Sequence, residues 1–113
     1  MKMRKTEEIE KIANLLRMAR KAGKISIGKS AVERCINNRD AKIIFFGKEE
    51  SNFIQKKLSL CQKNDIKFLF IFNDEELAEI FGRRKLTMVS INDVNFANGI
   101  NQIINKFSKD LPT

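Results

Sequence analysis

The sequence contains no histidine, no tryptophan and no tyrosine, and it has a single proline and only two cysteines. Without histidine, the chain lacks the commonest general base of enzymes and the usual catalytic triads. Cys35 and Cys61 are too few for a disulfide scaffold and too far apart in sequence for a metal knuckle. Both lie among apolar neighbours, which predicts reduced thiols in the core. We therefore expect no catalytic residue, no metal site and no cofactor.

Long apolar segments are also missing. No run approaches the roughly 20 residues that span a bilayer, and the opening segment MKMRKTEEIEK lacks the apolar stretch of a signal peptide. We expect a cytoplasmic protein that contacts no membrane. A chain of 113 residues has the length of one domain. We predict a single domain over 1–113, with a core of about 6–107 and a frayed C-terminal tail.

Positive charge is what the sequence has in excess. Lysine and arginine number 22 against 14 aspartates and glutamates, which gives a net charge of +8 and a pI near 9.7. This balance indicates a polyanionic partner, with nucleic acid as the first candidate and an anionic membrane surface as the second. The hydrophobic share of 42% is that of an ordinary globular protein and not of a disordered one.

Hydrophobic periodicity predicts strands and helices in alternation. Alternating or continuous apolar residues predict strands at 24–27, 41–46, 66–72 and 86–91. Helical spacing of apolar residues predicts helices that start at Thr6, Gly28, Ser51 or a neighbour, Asn73-Asp74 and Asn92. Left-handed caps are predicted to end helices at Gly23, Asn37-Asn38 and Gly82.

Strands separated in this way by helices form a sheet that the helices cover on both faces. The predicted fold class is therefore α/β. We expect a single-domain, three-layer α/β/α sandwich with a mostly parallel, mixed sheet of about four strands.

One segment matches a nucleotide-binding pattern. The residues from Gly23 to Ser30 read G-x-x-x-x-G-K-S, the phosphate-binding loop of proteins that hydrolyse ATP or GTP. Such a loop leaves the end of a buried strand, whereas a charged, amphipathic helix precedes Gly23 here. Ile25 and Ile27 alternate with polar residues, which favours an extended strand. A nucleotide-binding protein that uses Gly23 to Ser30 is the alternative that this pattern leaves open.

Basic residues form two clusters in separate predicted loops. One surrounds the start of the second helix, and the other is the turn after the fourth helix. Free backbone amides at a helix start, together with basic side chains, form a surface that contacts phosphate groups. A parallel sheet would place the two clusters close together. The candidate RNA-binding residues are Lys24, Gly28, Lys29, Ser30, Arg34, Arg83, Arg84 and Lys85.

Two segments, LLRMARKAGKISIGKSAVERCINNRDAKIIFFGKEES and DEELAEIFG, resemble a known family. Their most specific parts are the A-G-K turn at 22–24, Gly28, the AKIIFF strand and the ELAEIFG helix. They are similar to the YlxQ-type ribosomal-protein-like group of bacteria, within the kink-turn RNA-binding superfamily of the large-subunit ribosomal protein L7Ae. The similarity extends from about Ile12 to Phe107. It implies an α/β/α sandwich that binds structured RNA through the start of the second helix and the loop after the fourth.

The chain departs from the kink-turn binders of that superfamily at the start of the second helix. Those proteins present glycine, any residue, asparagine, glutamate, two further residues and then lysine or arginine, and the asparagine and glutamate read sheared G·A pairs. Gly28 and Arg34 match, but Ser30 and Ala31 stand in place of the asparagine and the glutamate. The binders carry an apolar segment in the later loop, where this chain has Arg83-Arg84-Lys85. The resemblance therefore implies RNA binding without implying kink-turn recognition.

The sequence as a whole predicts a non-enzymatic, monomeric RNA-binding protein of ribosomal-protein type. Its expected partner is structured RNA, with ribosomal RNA or the ribosome as the first candidates. Two alternatives come from other classes. A nucleotide-binding enzyme would bind ATP saturably, and an assembly factor whose main partner is a protein would show no salt-sensitive RNA binding.

Overall fold

The computed structural model describes residues 6–47 and 52–110. Within them, helices and strands follow one another in the order α1 (Thr6–Lys21), β1 (Ile25–Ile27), α2 (Lys29–Asn37), β2 (Ile43–Phe46), α3 (Asn52–Lys63), β3 (Lys67–Leu69), α4 (Asp74–Ile80), β4 (Met88–Ile91) and α5 (Val94–Asp110). The predicted alternation is confirmed. Ser51, a predicted helix start, lies outside the described residues. The sequence predicts a frayed tail after Phe107, but α5 continues to Asp110.

The strands form one mixed sheet in the order β1-β4-β2-β3. β2 and β3 pair in parallel, whereas β4 is antiparallel to both of its neighbours, β1 and β2. β1, β2 and β3 therefore point one way, and β4 points the other way. The mixed sheet is confirmed, with less parallel pairing than expected, because β4 inserts between two strands of the opposite direction.

Helices cover both faces of the sheet, which confirms the three-layer sandwich. On one face, α1, α4 and α5 bury residues that include Ile12, Leu16, Leu77, Phe81 and Ile100. On the other face, α2 and α3 bury residues that include Val32, Ile36, Ile54 and Cys61. β2 supplies both cores, with Ile43 and Phe45 in the first and Ile44 and Phe46 in the second. A strand covered on both faces has no polar side, which is why this segment is apolar throughout.

β3 is shorter and more exposed than the sequence predicts. The apolar run 66–72 predicts a buried strand, but only Lys67–Leu69 pairs, at the edge of the sheet, and these residues are partly exposed. That prediction is wrong. Phe72 still belongs to the core, because the chain turns after β3 and brings its ring to 6.0 Å from that of Phe45, centroid to centroid. The apolar character of the run's end therefore reflects core contacts made by a loop.

Helices α1 and α4 end in a Schellman motif centred on a left-handed glycine. At the end of α1, the amide of Gly23 donates to the carbonyl of Arg20, and the amide of Lys24 donates to that of Ala19. Gly23 has φ 72° and Gly82, its counterpart after α4, has φ 65°. The predicted glycine caps are confirmed.

Helices α2 and α3 end in the same motif without glycine. Their left-handed residues are Arg39, with φ 63°, and Asp65, with φ 59°. The predicted left-handed cap at Asn37-Asn38 is therefore wrong, because Asn38 is right-handed and the next residue takes the left-handed conformation. A side chain in this conformation is strained relative to glycine.

Side chains cap the starts of the last two helices. At α4, the predicted cap is confirmed at Asn73, whose side chain accepts from the Glu76 amide (2.8 Å) while the Glu76 carboxylate accepts from the Asn73 amide (2.9 Å). At α5, the predicted cap Asn92 is wrong. The carboxylate of Asp93 accepts from the backbone amides of the second and third residues of the helix, at 3.0 and 3.1 Å, because Asp93 immediately precedes the helix and so occupies the capping position. In the described part of the chain, no helix is both long and apolar enough to cross a membrane.

Candidate nucleic-acid interface

Gly28 joins β1 to α2 in a conformation that is open essentially to glycine alone, with φ 96° and ψ 165°. Its amide donates to the carbonyl of Met88 at 3.1 Å, and its carbonyl accepts from the amide of Val32 at 3.0 Å. The first bond holds the start of α2 against β4, and the second begins the helix. No side chain at Gly28 caps this helix. The start of this helix is therefore an end at which the helix dipole favours a phosphate group.

The turn after α4 brings basic side chains to this helix start. Lys29, Arg83 and Lys85 line one shallow cleft of about 320 Å³, together with Gly28, Leu86 and Thr87. We call Lys29, Arg83 and Lys85 the α2-start surface. The predicted proximity of the two basic clusters is present although β4 is antiparallel, because β4 begins at the end of the sheet where β1 finishes. Leu86 and Thr87 were not predicted, since uncharged residues before a strand give no signal of a surface site.

Arg84 lies in different surroundings from Arg83. With Lys85 it lines a second cleft, of about 370 Å³, whose other lining residues are Asp74 and Glu75. These two acids belong to the first turn of α4, where the helix dipole favours negative charge. A phosphate group that approaches Arg84 would therefore meet two carboxylates. The described residues that line the first cleft include no carboxylate.

Of the other predicted residues, Lys24 lies away from the α2-start surface, and Ser30 and Arg34 do not line its cleft. Lys24 precedes β1 and accepts a backbone hydrogen bond from Asn92, so it lies at the opposite end of the strand from Gly28, about 13 Å along the chain. Ser30 and Arg34 are exposed on α2, four positions apart on one side of the helix. The structure thus brings together Gly28, Lys29, Arg83 and Lys85, and it leaves Lys24 apart.

The nucleotide-binding alternative is wrong. A phosphate-binding loop needs backbone amides that converge on the phosphates. Here the amides of Gly23 and Lys24 close the end of α1, and the amide of Gly28 is bonded to β4. Between them, Ile25–Ile27 pairs with β4 as a strand. The matching letters therefore describe a helix end, a strand and a helix start, with no loop that could surround a phosphate.

A chain of hydrogen bonds connects α2 to the sheet, towards the end of β1 that carries Lys24. The Ser26 hydroxyl lies 3.0 Å from the Cys35 sulfur and accepts from the Asn92 side-chain amide at 2.9 Å. The hydroxyl of Ser90, which is fully buried, donates to the Asn92 side-chain oxygen at 2.9 Å. Sequence patterns could not predict this connection, because Ser26 and Asn92 are 66 positions apart. It connects the second half of α2 to β1 and to the segment that follows β4.

The second cysteine is a core residue of the α2–α3 face. Cys61 is fully buried, and burial raises the pKa of its thiol to about 11, against a smaller lowering by Lys57. Lys57 forms a salt bridge of 2.8 Å with Glu33, which connects α3 to α2.

Across residues 6–47 and 52–110, no three histidine, cysteine, aspartate or glutamate side chains come together as metal ligands would.

Comparison with known proteins gives a family and a fold. The model of the ribosomal protein L7Ae/L30e/S12e/Gadd45 family matches residues 10–101. A protein of unknown function from Bacillus halodurans C shares the fold at 20% identity with a TM-score of 0.75, covering 84% of this chain and 97% of its own. The Giardia lamblia 15.5 kD RNA-binding protein does so at 16% identity with a TM-score of 0.71, covering 91% and 89%. No curated protein matches the sequence.

Proposed function

Because the chain belongs to the ribosomal protein L7Ae/L30e/S12e/Gadd45 family, we propose that it binds structured RNA through the α2-start surface. The proteins of this family act by binding RNA and not by catalysis, and the chain is accordingly not an enzyme. The Giardia lamblia structure, which shares the fold, is that of a protein described as RNA-binding. The net charge of +8 suits a polyanionic partner.

The observation that carries the proposed site is the cleft shared by Lys29, Arg83 and Lys85. Its described lining combines three cationic side chains with the start of α2 and includes no carboxylate. Helix starts and basic side chains both favour phosphate groups. The phosphodiester backbone of an RNA helix would therefore lie along this cleft, with Arg83 and Lys85 on one side and Lys29 on the other.

Recognition at this surface rests on RNA shape and backbone charge. Structured RNA is read mainly through its backbone, its grooves and its splayed bases. Ala31 has no hydrogen-bonding side chain, and Ser30 offers a short hydroxyl in place of a longer amide. The site therefore supplies cations for phosphates and few groups for base edges. We extend the proposal to ribosomal or ribosome-associated RNA, bound by a monomer in the cytoplasm.

The proposal is tested by neutralising the surface and measuring affinity. The variant Lys29→Gln/Arg83→Gln/Lys85→Gln should bind a structured RNA at least tenfold more weakly, because three phosphate contacts are removed. The matched control Lys11→Gln/Lys56→Gln/Lys106→Gln removes the same charge from exposed lysines of α1, α3 and α5 that line neither cleft described above. Equal affinities for the two variants would contradict the site. No salt-sensitive RNA binding by the natural chain would contradict the function and favour a protein partner.

A further inference from the structure

A second basic surface lies at the other end of the sheet. A cleft of about 440 Å³ opens between the C-terminal ends of α2 and α3, and its lining residues are Ile36, Arg39, Ala41, Lys42, Lys63, Asn64, Asp65 and Ile66. Three of them are cationic and one is acidic. We call this the Arg39 cleft. Its cations come from two separate segments of the chain, the connection between α2 and β2 and the end of α3, so no sequence pattern indicated it.

The backbone places this cleft opposite the α2-start surface. Lys42 precedes β2, and its amide donates to the carbonyl of Ile91, the last residue of β4. Gly28 is bonded instead to Met88, the first residue of the same strand. Three steps along the strand, or roughly 10 Å, therefore separate the two ends. The whole molecule measures 30 to 35 Å in each direction. One phosphate group cannot contact both surfaces, but two RNA segments can.

Backbone conformation singles out the same cleft. Among the described residues, the non-glycine residues with positive φ are Arg39 and Asp65, and both line it. Glycine would satisfy this helix-end conformation with less strain, as Gly23 and Gly82 do at the other helix ends. Arg39 instead places an exposed guanidinium at the rim, beside Lys42 and Lys63. Strained residues concentrate where a side chain is needed for binding.

We propose that the Arg39 cleft binds the phosphodiester backbone of a second RNA segment, so that the protein joins two RNA elements at opposite ends of its sheet. Arg39, Lys42 and Lys63 supply the positive charge, and the partly exposed side chain of Ile66 forms part of a lining on which a sugar can pack. The inference rests on the proposed function in one respect, that the ligand is RNA. It adds a second site and a bridging role.

The test counts RNA molecules bound. With a short RNA hairpin, titration calorimetry or native mass spectrometry should give two hairpins per natural chain. Arg39→Gln/Lys42→Gln/Lys63→Gln should retain one, the triple variant of the α2-start surface should retain one, and the six-fold variant none. The control Lys11→Gln/Lys56→Gln/Lys106→Gln should retain two. Loss of a hairpin only in the α2-start variant would overturn the second site and leave the proposed function intact. Loss only in the Arg39-cleft variant would overturn the α2-start site instead.

Two further arms separate RNA binding from stability and from free phosphate. Arg39→Gly removes the guanidinium while relieving the left-handed strain, so its melting temperature should rise by a few degrees while hairpin affinity at this cleft falls about threefold. Unchanged hairpin affinity in that variant would overturn the role of Arg39.

Inorganic phosphate and a mononucleotide, each at 1 mM, should leave the hairpin bound, because one phosphate makes fewer contacts than an RNA backbone. Saturable phosphate binding without hairpin binding would replace the RNA assignment by a small-anion site.

Discussion

The amide of Gly28 donates to the carbonyl of Met88 across 3.1 Å, and this bond places the start of α2 beside the first residue of β4. The basic turn that contains Arg83 and Lys85 leads directly into β4. One backbone hydrogen bond therefore connects the two halves of the α2-start surface. Its geometry depends on a residue that can hold φ 96° at the junction.

A side chain at this junction should destabilise the fold. Gly28→Ala should lower the free energy of unfolding by about 1 to 3 kcal/mol, because the conformation strains any residue with a Cβ. A Cβ at Gly28 would meet no neighbouring atom, so the loss would come from the backbone alone. The matched control is Gly99→Ala within α5, where a Cβ would lie 3.6 Å from Leu15 in ordinary contact. That variant should gain about 0.5 to 1 kcal/mol. Urea unfolding measures both, and equal changes would contradict this account of the junction.

Neighbouring arginines should differ in their effect on RNA affinity. Arg83 lines the cleft that contains Lys29, whereas Arg84 lines the cleft that contains Asp74 and Glu75. Arg83→Gln should weaken RNA binding about three- to tenfold, and Arg84→Gln less than twofold, since carboxylates oppose a phosphate beside it. Filter binding or fluorescence anisotropy at one ionic strength provides the comparison. A larger loss in Arg84→Gln would move the RNA path to the second cleft.

Kink-turn selectivity should be weak in the natural chain. Ser30 and Ala31 replace the asparagine and glutamate of kink-turn binders, so a standard kink-turn should bind within about threefold of an unkinked duplex of equal length. Ser30→Asn/Ala31→Glu should raise this preference to about tenfold, because one hydrogen bond contributes about 1 to 1.5 kcal/mol. Ser30→Ala/Ala31→Gln serves as a control for the substitution itself. Strong kink-turn preference in the natural sequence would contradict the backbone-based account of recognition.

The two cysteines should be unreactive while the chain is folded. Cys61 is fully buried, and its pKa is raised to about 11, so its thiol stays protonated near neutral pH. Cys35 is half-buried, and its sulfur lies against the Ser26 hydroxyl. The rate of labelling with a thiol reagent at pH 8 should therefore equal the rate of unfolding. The variants Cys35→Ser and Cys61→Val each retain one cysteine, so they give this rate for Cys61 and Cys35 separately. Rapid labelling of native protein would contradict the core assignment.

The raised pKa of Cys61 belongs to the folded state alone. The free energy of unfolding should therefore decline between about pH 9 and pH 11, where the thiol ionises in the unfolded chain but not in the folded one.

How far the sequence predicts this structure depends on the range of the interactions involved. Helix α1, the glycine caps at Gly23 and Gly82 and the buried strand β2 follow from local periodicity and are found as predicted. Sheet order does not follow, because the insertion of β4 between β1 and β2 depends on contacts between distant segments. For the same reason, the apolar run 66–72 predicts a buried strand, whereas only Lys67–Leu69 pairs, at the edge of the sheet.

The candidate site was predictable in its composition but not in its boundaries. Both basic clusters are visible in the sequence, and the structure places Lys29 beside Arg83 and Lys85. The division between Arg83 and Arg84 depends on where α4 places Asp74 and Glu75, which adjacent sequence positions cannot show. Asn92 resembles a helix cap in sequence, but its side chain instead hydrogen-bonds Ser26 and Ser90. A polar residue of this kind has several partners available, and only the tertiary structure selects among them.

If phosphates of a structured RNA occupy the α2-start surface, the salt dependence of RNA affinity must change when its three cations are removed. Log affinity of the natural chain should fall linearly with log salt concentration, by about 0.7 to 0.9 per phosphate neutralised. In Lys29→Gln/Arg83→Gln/Lys85→Gln the slope should be shallower by about two units or more, since up to three contacts are lost. The control Lys11→Gln/Lys56→Gln/Lys106→Gln should keep the natural slope. An unchanged slope in the surface variant would contradict phosphate binding at this surface.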